Sequence, residues 1–100
     1  MNLAATTSKV KELAENADAL GSTVKFTFND ADGVVFVDGH GDENTVSNED
    51  KDAECTIQCD IATLDGMMDG SLNPMGAFMS GQLKIDGDMG AAMKLSAMFS

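Results

Sequence analysis

The chain has no arginine and only six lysines, set against 17 aspartates and glutamates, for a formal net charge of −11 over 100 residues. Nucleic-acid binding depends on Lys and Arg neutralising phosphates, so no nucleic-acid partner is expected. The same shortage disfavours adsorption to an anionic membrane and leaves at most transient membrane contact. The bland reading of so many acids is a soluble, self-repelling surface. No apolar run approaches the roughly 20 residues that span a bilayer. The opening segment MNLAATTSKVKELAENADAL lacks the apolar centre of a signal peptide, and the ending Ala97-Met98-Phe99-Ser100 is not a peroxisomal address. The expected compartment is the cytoplasm.

Histidine and cysteine are also scarce. His40 is the single histidine, set in Asp38-Gly39-His40-Gly41-Asp42. A catalytic triad needs a nucleophile such as Ser47, Ser71 or Ser80 held against it, and nothing local places one there. The histidine reads as a solvated loop residue, and no catalytic residue is assigned. Asp38, His40, Asp42 and Glu49 occupy the first, third, fifth and twelfth places of an EF-hand frame. Glu43 stands where the sharp turn needs Gly, and the frame lies between strands instead of helices. Zinc needs more His and Cys ligands than one histidine and two cysteines supply. No metal or cofactor is expected. On a strand, Cys55 and Cys59 share a face but stand about 13 Å apart at ~3.3 Å per residue, beyond the ~7 Å a disulfide spans. Two unpaired thiols suit a reducing compartment and read as small apolar packing groups.

The length suits one domain spanning residues 1–100. Leu3, Val10, Leu13, Ala17 and Leu20 recur at helical spacing, which predicts an amphipathic helix ending near Gly21. Val24, Phe26 and Phe28 alternate with polar residues, and Val34 to Val37 is a continuous apolar run; the two predict a hairpin with the second strand central. A weak strand is expected around Asn44 to Asn48 and a stronger one over Glu54 to Asp60, followed by a helix from Ile61 to Gly70. Asn73 and Pro74 start a further helix that Gly81 ends; Leu83 and Ile85 form a short strand, and Asp88 caps a last helix. The order suggests an α+β fold, one sheet with helices mainly on a single face.

Met is concentrated rather than general: seven of the eight follow residue 66. The ordinary explanation is a core in which Met fills gaps. Met also suits surfaces that repack around different apolar shapes. On the last helix, Met89, Ala92, Met93 and Ser96 fall on one face, with Leu95 and Phe99 a little round from it. That face is expected to line a cavity, with the Ser96 hydroxyl near a ligand head group. An acyl chain of about 16 carbons offers roughly 12 kcal/mol of gross burial energy, much of it offset by ordering and association. An apolar tunnel thus holds lipid with little polar chemistry.

The stretch NPMGAFMSGQLKIDGDMGAAMKL closely resembles the C-terminal signature of the sterol carrier protein type 2 family, the non-specific lipid-transfer proteins. The residues that carry it are Leu72-Asn73-Pro74, Ala77-Phe78, Gly81-Gln82-Leu83-Lys84-Ile85, Gly87-Asp88-Met89 and Ala92-Met93-Lys94-Leu95, with Ala53-Glu54-Cys55-Thr56-Ile57 upstream. Gln82 stands where the family usually has Lys, and residues 1–52 agree in layout only. The resemblance implies a five-stranded mixed sheet covered by helices, with an apolar cavity between them. It also implies a non-enzymatic carrier of fatty acids, fatty acyl-CoA, sterols or phospholipids. Phe78, Met79, Met89 and Met93 are the first candidates for lipid contact, from matched positions. Phe36, Met67, Leu72, Met75 and Leu83 are added from apolar facing alone. Related domains occur fused to enzymes, so the alternative is an accessory module that presents substrate to a partner enzyme of lipid metabolism. A third reading is a structural module whose cavity has collapsed around its Met residues.

Overall fold

Two adjacent apolar segments start the sheet. The alternating segment forms β1 (Thr23–Phe28) and the continuous one forms β2 (Val34–Asp38). They pair antiparallel, with Val24 opposite Val37 and Phe26 opposite Val35. The computed structural model describes residues 3–30 and 32–99, with the backbone alone at 74, 75 and 96–99. The weak strand forms as a three-residue edge, β3 (Thr45–Ser47). Then come β4 (Cys55–Cys59) and β5 (Lys84–Gly87). The order across the sheet is β3-β2-β1-β4-β5. β1 and β4 run parallel and the other neighbours antiparallel, so the sheet is mixed and five-stranded, as the resemblance implies.

Four helices complete the fold: α1 (Leu3–Glu15), α2 (Ile61–Asp69), α3 (Pro74–Met79) and α4 (Met89–Phe99). Their inward residues Val10, Leu64, Met67, Ala77 and Leu95 meet Val24, Phe26, Val35, Val37, Cys55, Ile57 and Cys59 in one core. Register puts all of these strand residues on the same face, because side chains alternate along a strand. The helices therefore share that face, which is the α+β layering read from the element order.

The first helix is shorter than its apolar spacing predicts. It ends at Glu15, although Leu20 is buried. The cause is Asn44, 24 residues beyond Leu20 in the chain. Its amide nitrogen donates to the carbonyls of Ala14 and Asp18, both at 3.0 Å, and its Oδ1 accepts the Leu20 N–H at 2.9 Å. The end of α1 is closed from outside, so residues 16–20 leave the helix while still delivering Leu20 to the core.

The C-terminal punctuation behaves as its residues predict. Gly81 has φ +84, and the Gln82 and Gly81 amides donate to the Ala77 and Phe78 carbonyls at 2.9 and 3.2 Å. This is a Schellman ending. Gly87 has φ +107, and a Cβ there would drive into the Glu54 carbonyl. Asp88 caps α4, its Oδ1 accepting the Gly90 N–H at 2.9 Å.

The opposite sheet face is crossed by the connection from β3 to β4. Phe36 and Lys25 pair on that face. Lys25 Nζ reaches Asp50 Oδ1 at 3.0 Å, and Lys51 Nζ lies 5.8 Å from the centre of the Phe36 ring. Asn48 donates to the Val34 carbonyl at 2.9 Å. This strap covers Val34 and Phe36, which are buried on that side.

Candidate functional site

The sequence candidates fall into three environments. Met67 on α2 and Leu83 before β5 are buried in the core beneath the helices. Leu72 is partly buried against the same core, and its N–H bonds the Gly66 carbonyl at 3.0 Å, which folds the α2–α3 link back over α2. Phe78, Met79, Met89 and Met93 are the exposed large apolar residues among those described, at 38%, 81%, 45% and 64% of full exposure. Phe36 is separated from all of these, on the far face beneath the strap. The side chains of Met75 and Ser96 lie outside the described residues.

The orientation of α4 differs from expectation. Ala91, Ala92 and Leu95 face inward and are essentially inaccessible, while Met89 and Met93 point outward. Small residues let the helix sit close to the sheet; a Met in their place would hold it away. The Ala91-Ala92 pair followed by Leu95 is the sequence signal that reveals the buried side. Leu64 and Met68, apolar positions of the same helix that were not among the lipid candidates, join Met67 in the core. Their spacing from Ile61 on α2 carried that information.

His40 has an acidic partner instead of a nucleophile. Its Nε2 lies 2.8 Å from Glu54 Oε2, and the same oxygen accepts the Thr23 N–H at 2.8 Å. The Thr23 amide, then the His40 contact, hold the Glu54 carboxyl below the usual glutamate range. Burial, with a smaller push from Asp60 and Asp30, raises the Cys59 thiol to about 12, and burial likewise raises Cys55. Both thiols are neutral packing groups at physiological pH. Among the described residues no cluster of three or more His, Cys, Asp or Glu is placed to hold a metal ion.

Charge is strongly segregated. Residues 29–65 hold eleven of the 17 acids and one of the six lysines, a net −10. Residues 66–100, which carry the exposed large apolar groups found among the described residues, hold three acids and two lysines, a net −1. The first 28 residues balance. Among the described residues, no helix is long and apolar enough to cross a membrane.

Comparison with known proteins places this arrangement. Over 56 residues, 56% of the chain, the sequence is 46% identical to sterol carrier protein 2 of Bos taurus, and the matched stretch spans 10% of that protein. The fold is similar to the sterol carrier protein domain 2 of Helicoverpa armigera, with a TM-score of 0.74 at 23% identity over 92% of this chain and 80% of that one. It is also similar to the UbiJ-SCP2 ubiquinone synthesis protein, with a TM-score of 0.70 at 18% identity over 95% of this chain and 85% of that one. Residues 2–100 match the SCP-2 sterol transfer family. The chain belongs to that family.

Proposed function

We propose that this domain is a non-enzymatic lipid carrier that holds a fatty acid, fatty acyl-CoA, sterol or phospholipid in an apolar space between its sheet and helices. The observation that carries this reading is the match to a sterol transfer family along residues 2–100. The geometry agrees with it. Met67, Met68, Leu64, Leu72 and Leu83 gather on the helix side of the sheet, and unbranched thioethers adjust to varied apolar shapes. Phe78, Met79, Met89 and Met93 then belong to the outer rim, where a ligand enters or leaves. The two neutral thiols fit a reducing, cytoplasmic setting. Native mass spectrometry of the purified full chain, followed by lipid extraction and titration with a fluorescent fatty acid, tests the reading. Saturable binding at micromolar concentration or below supports it. Absence of binding to folded protein, with sterol and acyl-CoA also inactive, would overturn it.

A second reading is favoured by one observation: the similar UbiJ-SCP2 structure is described as a ubiquinone synthesis protein. In this reading the domain presents its lipid to a partner enzyme. Specific pull-down of one lipid-metabolising enzyme, strengthened by bound lipid, would support presentation over free transfer.

A further inference from the structure

We propose that two copies of this chain pair through the free edge of β5, antiparallel about Ile85, with Lys84 of each copy facing Asp86 of the other. This contact is independent of the lipid reading. β5 ends the sheet order β3-β2-β1-β4-β5, so its outer edge has no neighbouring strand. The ladder with β4 decides which backbone groups lie on that edge. The Asp88 N–H bonds the Glu54 carbonyl at 2.9 Å. The register continues from there with Cys55 opposite Gly87, Thr56 opposite Asp86, Ile57 opposite Ile85 and Gln58 opposite Lys84. Hydrogen-bonded and non-bonded pairs alternate along an antiparallel ladder. Lys84 and Asp86 therefore turn their backbone groups toward β4, and the N–H and carbonyl of Ile85 point outward. Among the described residues no backbone group outside the ladder meets them.

The side chains of this edge are complementary to themselves. Ile85 packs against the core, so Lys84 and Asp86 project from the other face of the sheet, where both are exposed. A two-fold axis through an antiparallel strand pair keeps each face of the sheet on its own side. Centred on Ile85, two strands exchange a pair of hydrogen bonds at that residue and set two Lys84–Asp86 pairs across the seam. Moving the centre by one residue puts Lys84 opposite Lys84 or Asp86 opposite Asp86, which is repulsive. A lone lysine on an edge discourages pairing; Asp86, two residues on, makes it half of a match. The other free edge has no such pair: Thr45-Val46-Ser47 of β3 is uncharged, and Glu43 and Glu49 flank it. Pairing at β5 joins two five-stranded sheets into one, with the helices of both copies on the same side. The edge is four residues long and each copy carries −11, which keeps the dimer weak, with a dissociation constant of about 1 mM.

The test is sedimentation and amide NMR of the full chain over a concentration range that brackets that value. A dimer fraction rising with concentration is expected, with shifts centred on the Ile85 amide and slower exchange there. Lys84→Asp and Asp86→Lys each oppose like charges and should each stay monomeric across the range, with melting curves showing an intact fold. Mixed in equal amounts, the two variants bring opposite charges together at both positions and should pair with each other. The double variant, Lys84→Asp with Asp86→Lys, keeps the local net charge and should recover the wild-type dimer; it carries the test if a single variant folds poorly. Four results would overturn the pairing: a monomer throughout the range, a dimer indifferent to either single substitution, single variants that fail to pair when mixed, or shifts centred on β3 or on the helices instead of Ile85.

Discussion

The acid-rich middle of the chain and its Met-rich end are held by different forces. Residues 29–65 are stitched to the rest by long-range polar contacts. Asn44 closes α1, and Glu54 takes the Thr23 amide. Asp65 accepts the Thr6 hydroxyl, and within the segment Asp30 accepts the Ile61 N–H at the start of α2. In the C-terminal third, Ser71, Ser80 and Asp88 bond neighbours within five residues, and Lys94 reaches further, to the Leu20 carbonyl at 3.4 Å. The backbone of β5 pairs with β4, and burial of Ala77, Leu83, Ala91, Ala92 and Leu95 holds the helices of this third to the core. Hydrogen bonds fix direction and register, while apolar burial is indifferent to direction. The molecule thus keeps its geometry in one half and its adaptability in the other.

The sharpest way to break this comparison is to place a carboxylate on each side of α4. Leu95→Asp buries an unpaired charge and should cost about 3–5 kcal/mol or prevent folding. Met93→Asp, at an exposed position, should stay within about 0.5 kcal/mol in a urea melt. Equal, severe losses would mean that both faces of α4 are core.

Next is Asn44→Ala. It leaves the Leu20 amide and the Ala14 and Asp18 carbonyls without their partner, at about 1–3 kcal/mol for each group that stays buried. Chemical denaturation should show a clear loss of stability, and amide exchange should quicken at Leu20. A neutral result would show that water replaces the side chain.

Gly87→Ala tests a boundary between the halves, where a Cβ meets the Glu54 carbonyl. A loss of roughly 1–3 kcal/mol is expected from the positive φ and the clash. The β4–β5 pairing should loosen first, visible in amide exchange at Asp88, whose N–H bonds the Glu54 carbonyl at 2.9 Å.

The smallest effect is acid sensitivity at Glu54. Its folded pKa lies below the ordinary value, so its stabilisation is present above the unfolded glutamate pKa and fades as pH falls through the folded one. Glu54→Gln should flatten the decline in melting temperature on the acid side of pH 5, with little change in the slope above pH 7. Unchanged acid-side curvature would assign that decline to other carboxylates.

Much of the fold was legible because its signals are local. Alternation in Val24 to Phe28 and the run at Val34 to Val37 specify strands directly. Asn73-Pro74, Gly81 and Asp88 punctuate α3, β5 and α4 within a residue or so. The early end of α1 was hidden because Asn44 acts on it across 30 residues, and no local pattern encodes such a partner. Phe36 misled for a related reason. A continuous apolar run shows that both faces are buried, but not that a polar strap covers one of them. On α4, the helical period grouped Met89, Ala92 and Met93 on one broad face. The size of Ala91 and Ala92 decided which part of that face turned inward.

The parallel pairing of β1 with β4 also governs how the chain reaches its folded state. Val24 meets Cys55 only after the intervening residues, most of the acidic segment among them, have closed into a loop. Closing about 31 residues costs roughly 3 kcal/mol in chain entropy before the pair rewards it. The acids in that loop repel one another while it closes, and α2, α3 and α4 all follow β4 in the chain. Added salt should therefore hasten folding more than it slows unfolding. The step it relieves is the search that brings the fourth strand beside the first, the pairing that completes the surface on which the Met-rich helices pack.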